Sequence, residues 1–165
     1  MAEKNMNIFD YSPKKAFENM FDFSFLNDKP KPPETTTYED QLKAVEDQLT
    51  DLVRSIAEDI SSGLQQNDPE IYERWHDEDQ PDDFVPNGYD YLQNVYDIKF
   101  IMDISGNYHG AELMVAGGGP NIYVETRDNT VRGYWGGTKA QWAYVDNIGL
   151  DDACEDYFSY NRVEK

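Results

Sequence analysis

The sequence is poor in cysteine, in histidine and in basic residues. Its 165 residues include one cysteine, two histidines and 14 Lys and Arg against 33 Asp and Glu, which gives a net charge of −19. A single cysteine, Cys154, cannot form an internal disulfide, and this fits a reducing cytoplasm. The excess of negative charge disfavours direct binding to nucleic acid or to anionic lipid. We therefore expect any partner of this protein to be basic.

The sequence also lacks a long apolar run. No segment approaches the roughly 18 apolar residues of a membrane span, and residues 1–10 have neither the basic cluster nor the apolar run of a signal peptide. We therefore expect no membrane partner and a cytoplasmic location. The hydrophobic content of 39% and the aromatic content of 14% are enough for a buried core, which excludes a disordered acidic tail.

The negative charge is concentrated in one part of the chain. Residues 39–90 hold 16 acids and three basic residues, so they carry −13 of the total charge. Residues 1–34 and residues 95–145 each sum to −1. Acidity that served solubility alone would be spread along the chain, whereas bunched charge creates a local field that steers cationic partners.

Three regions follow from the sequence pattern: an arm and linker at 1–36, an acidic helical region at 37–94, and a sheet with a terminal helix at 95–165. In the first region, prolines at positions 30, 32 and 33 force extended backbone, and no periodic pattern resumes before Tyr38. The aromatic residues of the arm either pack on the domain or dock on a partner, and the sequence leaves both alternatives open.

The clearest helix signal covers residues 38–62. Thr37 and Asp40 resemble a capping box, and Gly63 offers a left-handed stop. Apolar residues recur at helical spacing and form one face, which we expect to be core or to pack on a partner helix. These residues are Leu42, Val45, Leu49, Leu52, Val53, Ile56 and Ile60.

Four acids occupy the opposite side of this helix. Asp40, Asp47, Asp51 and Glu58 fall within about 40° of one another on a helical wheel, and we call them the acidic ridge. Further acids lie in a second predicted helix at 68–75 and in the loop that follows it. We expect them to extend the same partner-binding surface: Glu70, Glu73, Asp77, Glu78, Asp79, Asp82 and Asp83.

From about residue 95 the apolar residues recur with a period of two. Ile98, Phe100, Met102 and Ile104 alternate with other residues, and similar segments occur at 113–115, 122–126 and 131–135 with Gly, Asn and Asp turns between them. This pattern predicts an antiparallel meander of four strands, with a fifth at 141–145. An amphipathic segment at 149–160 predicts a C-terminal helix. A long helix, a block of strands and a final helix together predict an α+β fold.

Little in the sequence indicates catalysis. His76 and His109 lack the spacing of a zinc-ligand pair. Cys154 lies on the apolar face of the last predicted helix, which favours a buried small side chain over a reactive thiol. The glycines at 117–119 lead into a strand, whereas a phosphate-binding loop leads into a helix. We therefore predict a protein that is not an enzyme and that uses no cofactor.

A metal site in the acidic loop is a weaker alternative. Asp77, Asp79, Asp82 and Asp83 supply the oxygen ligands that hard cations prefer. Their spacing does not match a calcium-binding loop, which needs a glycine at its sixth position and a glutamate at its twelfth. A metal-dependent enzyme built on these four acids is therefore the third of three functional hypotheses.

Two segments near the C-terminus carry a resemblance to known proteins. They are 118–127, with the sequence GGPNIYVETR, and 131–137, with the sequence VRGYWGG, and an acidic terminal helix follows them. This part of the chain resembles a module of small proteins from phages, plasmids and conjugative elements of bacteria, and the module itself implies no chemistry. Combined with the acidic ridge, the chain resembles the anti-defence proteins, anti-CRISPR and antirestriction inhibitors that act as DNA mimics.

The resemblance implies a non-enzymatic inhibitor in a bacterial host cell. Its expected partner is the basic nucleic-acid-binding surface of a defence nuclease, and we prefer a CRISPR effector nuclease or its guide-RNA complex to a restriction enzyme. The concentration of acids in the N-terminal half argues against mimicry of a full-length duplex. The second hypothesis is an interaction module in which the apolar face of helix 38–62 forms a homodimer and the acids keep it in solution.

Overall fold

The computed structural model describes residues 37–64, 80–81 and 84–163. The predicted arm and linker at 1–36 and the predicted helix at 68–75 lie outside these residues. The described helices are α1 (Tyr38–Ser61), α2 (Gly88–Leu92) and α3 (Leu150–Val163). The strands are β1 (Asp97–Met102), β2 (Tyr108–Ala116), β3 (Asn121–Glu125), β4 (Thr130–Trp135) and β5 (Thr138–Ala143).

The five strands form one antiparallel sheet in the order β1-β2-β3-β4-β5. Each strand pairs with the next strand along the chain, as short turns between antiparallel strands allow. Between β4 and β5, Gly136 and Gly137 have φ values of 55° and 89°. A tight hairpin turn needs this left-handed backbone, which glycine adopts without a steric penalty. The predicted α+β fold is confirmed: a long helix precedes an antiparallel sheet and a C-terminal helix.

Helix α1 begins at the predicted capping box. The Thr37 hydroxyl accepts a hydrogen bond from the Asp40 backbone N–H at 3.2 Å, and the Asp40 carboxylate accepts one from the Thr37 N–H at 3.0 Å. The helix ends before Gly63, whose φ is 74°. From Leu49 to Ile60 its apolar side is buried, and α1 packs on β4 and β5. The predicted core face therefore packs against the sheet of its own chain.

The close approach of α1 to the sheet depends on Gly133 in β4. A Cβ atom at this position would lie 2.6 Å from Val53 Cγ2 and 2.8 Å from Leu49 Cδ1. Both of those side chains are fully buried. A strand glycine often marks a place where another part of the chain comes near the backbone. Here it lets two large side chains of α1 rest directly on β4.

Helix α3 covers the β2 end of the same sheet face. The Asp146 carboxylate accepts hydrogen bonds from the backbone N–H groups of Leu150 at 2.9 Å and Asp151 at 3.0 Å, which caps the first turn of α3. The Asp151 carboxylate in turn accepts from the Tyr108 hydroxyl at 2.7 Å and the Thr126 hydroxyl at 2.5 Å. These bonds attach α3 to the sheet, and α1, α3 and the strands share one hydrophobic core.

Replacing Gly133 by alanine should destabilise the fold by about 1–3 kcal/mol, because an added methyl group overpacks the contact between α1 and β4. In a Val53→Ala background the same replacement should cost less, since loss of Val53 Cγ2 makes room for the methyl group. Urea unfolding of the wild type, both single variants and the double variant measures this coupling. Strictly additive losses would show that the two positions do not compete for the same space.

Candidate partner-binding surface

The four residues of the acidic ridge lie on one exposed side of α1. Asp40, Asp47, Asp51 and Glu58 are all exposed. The side chains of Asp51 and Glu58 are 67% and 65% accessible. The buried residues of the helix face β4 and β5 on its other side. The structure therefore brings these four predicted site residues together on an accessible surface.

The first half of α1 is open to solvent around almost its whole circumference. From Thr37 to Gln48 every residue is exposed except Val45, which is half-buried. Even the apolar residue Leu42 is 40% exposed. Within the described ranges, no element buries this part of the helix. Asp40 and Asp47 are therefore accessible to a partner that approaches α1 from several directions.

Arg54 partly neutralises the C-terminal half of the ridge. Its Nη2 lies 2.7 Å from Asp51 Oδ1, and its Nε lies 3.9 Å from Glu58 Oε1. The guanidinium also lies 5.8 Å from the ring centre of Trp142 on β5, which holds it beside the ridge. Exposed ion pairs of this kind contribute about 0–1 kcal/mol. A cation of a partner can therefore replace Arg54 at little cost.

Asp40 is a helix cap as well as a ridge residue. The Thr37 hydroxyl donates to its carboxylate at 2.7 Å. This bond and the one from the Thr37 backbone N–H hold the pKa of Asp40 below its ordinary value. Reversing the charge of Asp40 would therefore remove the cap together with the charge. Asp47 has no ion pair within the described residues, which makes it a cleaner position at which to test the ridge.

One acid of the helical region is withdrawn from the surface. Asp59 is only 7% exposed, and its charge acts on the buried Tyr91 of α2. Burial first, and the negative charge of Asp59 second, raise the pKa of Tyr91.

The sequence pattern does not predict α2, which has only five residues. Its signal was the pair Asn87 and Asp90, which forms a capping box in the structure.

A second acidic surface lies in a groove between α2 and α3. The groove is open, has a volume of about 570 Å³, and is lined by Tyr89, Asp152, Glu155 and Asp156 among others. The Tyr89 hydroxyl donates to the Asp156 carboxylate, and this bond raises the pKa of Tyr89. The sequence places these acids on the solvent side of the last helix, but it does not predict that Tyr89 joins them.

The remaining predicted site residues lie outside the described residues, so the structure does not place them. They are Glu70, Glu73, Asp77, Glu78, Asp79, Asp82 and Asp83. The four acids of the metal hypothesis belong to this set, and His76 also lies outside the described residues. In the part of the chain that is described, no group of three or more His, Cys, Asp and Glu side chains is arranged to hold a metal ion.

His109 has a surface position on β2. Its Nε2 lies 3.3 Å from Asp103 Oδ2, and the His109 side chain is 52% accessible. The Asn107 side chain and the Asn107 backbone N–H also donate to Asp103, and these bonds, with a smaller contribution from His109, lower the pKa of Asp103 to about 2. The histidine thus belongs to a hydrogen-bond network around the turn between β1 and β2.

Of the helices described here, none is long and apolar enough to cross a membrane.

No protein-family model matches the chain, and the comparisons with curated proteins and with solved structures give no match either. The resemblance to anti-defence proteins is therefore a prediction from the segments 118–127 and 131–137 and from the charge pattern.

Cys154 is fully buried on the inner side of α3. Burial first, and the nearby charge of Asp151 second, raise the pKa of its thiol to about 12. The structure thus confirms the predicted burial of this side chain.

Cys154 should not react with Ellman's reagent at mildly alkaline pH until the protein unfolds, because the reactive thiolate does not form in the core. A free thiol has a pKa of about 8.5. Because folding raises this pKa, the thiol's contribution to stability is fully present below about pH 8.5 and is lost as the pH rises towards 12. Reaction kinetics with and without urea test the expectation. Rapid, complete labelling of the folded protein would contradict it.

Proposed function

We propose that this protein is a non-enzymatic inhibitor that acts in the cytoplasm of a bacterial host cell. It binds the basic nucleic-acid-binding surface of a defence nuclease, and the preferred target is a CRISPR effector nuclease or its guide-RNA complex. The observation that carries the proposal is the acidic ridge. Asp40, Asp47, Asp51 and Glu58 form a row of exposed carboxylates on a helix whose other side is anchored to the sheet.

The anchoring of α1 favours recognition by charge. Leu49, Val53, Ile56 and Ile60 are buried against the sheet and fix the helix axis. The ridge acids Asp51 and Glu58 lie on this anchored half. A partner therefore meets charges whose backbone positions are already set, and binding does not have to order the helix. Such preorganisation lowers the entropic cost of association.

The spacing of the ridge is compatible with a set of phosphates along one strand. With a rise of about 1.5 Å per helical residue, the four acids are separated by about 10, 6 and 10 Å along the axis. Successive phosphates of one DNA strand are about 3.4 Å apart along the duplex axis. The three gaps thus correspond to about three, two and three phosphate steps. The ridge resembles a short, sparse stretch of strand, in agreement with the confinement of the acids to one region.

Most of the apolar surface that the homodimer hypothesis requires on α1 is buried within the same chain. The apolar face of α1 from Leu49 to Ile60 packs on β4 and β5 of the same chain. Only Leu42, Val45 and Leu52 of the predicted face remain at least partly accessible. No observation in the described residues favours a metal-dependent enzyme over the inhibitor. The charged side of α1 is therefore the better candidate for the main contact.

Reversing charges on the ridge should weaken binding far more than reversing charges elsewhere on α1. The test variant is Asp47→Lys with Glu58→Lys, and the control is Glu39→Lys with Glu46→Lys, which changes the net charge equally. Glu39 and Glu46 are also exposed, but they lie about 100–120° around the helix from the ridge. Binding is measured by surface plasmon resonance on a panel of purified, guide-loaded CRISPR effector nucleases.

We expect the ridge variant to lose at least about tenfold in association rate, and the control to lose only about twofold, because local charge complementarity governs encounter. Circular dichroism should show both variants folded, since exposed charge changes alter stability little. Equal losses in the two variants would mean that net charge alone drives binding. Unchanged binding of the ridge variant to an effector that captures the wild type would exclude the ridge as the contact surface.

A further inference from the structure

Strand β1 is one of the two edge strands of the sheet. Strand β5, at the other edge, lies beneath α1. On the outer side of β1, no strand in the described ranges continues the sheet. An edge strand of six residues presents backbone donors and acceptors that another strand can pair with. Proteins commonly exploit such edges for association by strand addition.

The backbone of β1 directs hydrogen-bonding groups towards the outer edge of the sheet. In β2, the N–H of Ala111 donates to the Thr126 hydroxyl at 2.9 Å, and its carbonyl accepts from the Thr126 N–H at 2.9 Å, so both groups point towards β3. Phe100 is the residue of β1 opposite Ala111. Residues opposite each other at such a position point their N–H and C=O groups apart. Phe100, and Ile98 two residues earlier, therefore direct theirs outward.

Large apolar side chains border the same edge. Met102 is 53% exposed, Ile104 is fully exposed, and Tyr157 of α3 is 48% exposed. The ring of Tyr157 lies 6.2 Å from that of Phe100, which continues the apolar border from the strand onto the helix. Exposed apolar side chains beside an edge strand favour association. Burial of these side chains would add a hydrophobic contribution to strand pairing.

We propose that β1 pairs with β1 of a second copy of this chain, antiparallel and centred on Ile98. In this two-fold register Ile98 lies opposite Ile98 of the second copy. Asp97 then lies opposite Lys99 of the second copy, and Lys99 opposite Asp97, so two pairs of opposite charge form on the outer face. Registers centred on Asp97 or Lys99 place like charges opposite each other, which is unfavourable. Charge complementarity thus selects both the partner and the register.

Lysine on an edge strand often prevents pairing with another strand, but here Lys99 forms an ion pair within its own sheet. Its Nζ lies 3.2 Å from Glu112 Oε1 on β2 and 5.8 Å from the ring centre of Tyr123 on β3. These contacts direct the side chain over β2 and β3 on the outer sheet face, so pairing with Asp97 of the second copy requires Lys99 to turn back across β1. The register shift between Ile101 and Met102 limits regular pairing to the first part of β1.

The position of β1 also keeps the acidic ridges of the two copies apart. Residues 95–145, which contain the sheet, sum to only −1, so the edge itself carries little of the charge of −19. Helix α1 packs on β4 and β5, at the far end of the sheet from β1. With strands about 4.8 Å apart, the two copies of α1 would lie roughly 40 Å apart in a continuous ten-stranded sheet. The dimer would present its two acidic ridges at opposite ends.

Sedimentation equilibrium of the full chain tests the proposal with a charge swap. The wild type should form a dimer, and Asp97→Lys alone or Lys99→Asp alone should raise its dissociation constant about tenfold, since each replacement creates two like-charge pairs. The double replacement D97K/K99D should restore the dissociation constant to within about threefold, because it rebuilds both pairs in the same register.

Thermal unfolding of each variant identifies any loss of fold, which Lys99→Asp risks because it places a second acid beside Glu112. Glu39→Lys on α1, which changes the charge far from β1, is the control and should leave the dimer intact. A wild type that stays monomeric at its highest attainable concentration would overturn the proposal. So would a dimer that ignores the single replacements, or a double swap that is as weak as the singles.

Discussion

Helix α1 packs directly on Gly133 of β4, and this contact sets how the helix lies on the sheet. A glycine in β4 allows Leu49 and Val53 to touch the strand backbone, and the helix is thereby held flat on one end of the sheet. Because of this contact, the apolar side of α1 lies against the core and its acidic side lies towards solvent. The electrostatic surface of the protein is thus a consequence of a steric fit in its interior.

The same packing explains how a chain of such high charge folds. Its core is built from α1, α3 and one face of the sheet, and Asp59 and Thr126 are the buried polar or charged residues among those described. On the outer side of α1, water and salt screen the repulsion among the acids of the ridge. The sheet is nearly neutral, and the acidic ridge lies at the end of the sheet away from β1.

Local sequence signals were sufficient for much of this fold. Thr37 with Asp40, and Gly63, mark the ends of α1 because capping and left-handed backbone depend on adjacent residues alone. The alternation of apolar and other residues in 95–145 predicted the strands, because this pattern also depends only on residues near one another in the sequence. The ridge could be read from the helical wheel, and the structure leaves all four of its residues exposed.

Features that depend on distant parts of the chain could not be predicted in this way. The contact between Gly133 and Leu49 depends on the tertiary structure. A glycine in a predicted strand does not by itself indicate which side chain packs on it. The burial of Asp59 depends on its surroundings in the folded chain, including Tyr91 on the short α2. The association of Arg54 with Asp51 and Glu58, by contrast, follows from their spacing of three and four residues, and the sequence contained that signal.

Competition with nucleic acid tests the central claim most directly. The association and dissociation rates for a guide-loaded CRISPR effector nuclease are measured as salt rises, with and without target DNA. If the ridge occupies a nucleic-acid site, the association rate should fall steeply as the Debye length shrinks from about 30 Å at 0.01 M to about 8 Å at 0.15 M. The dissociation rate should change much less, and DNA should displace the protein. Simultaneous binding of both at full affinity, with an association rate indifferent to salt, would contradict it.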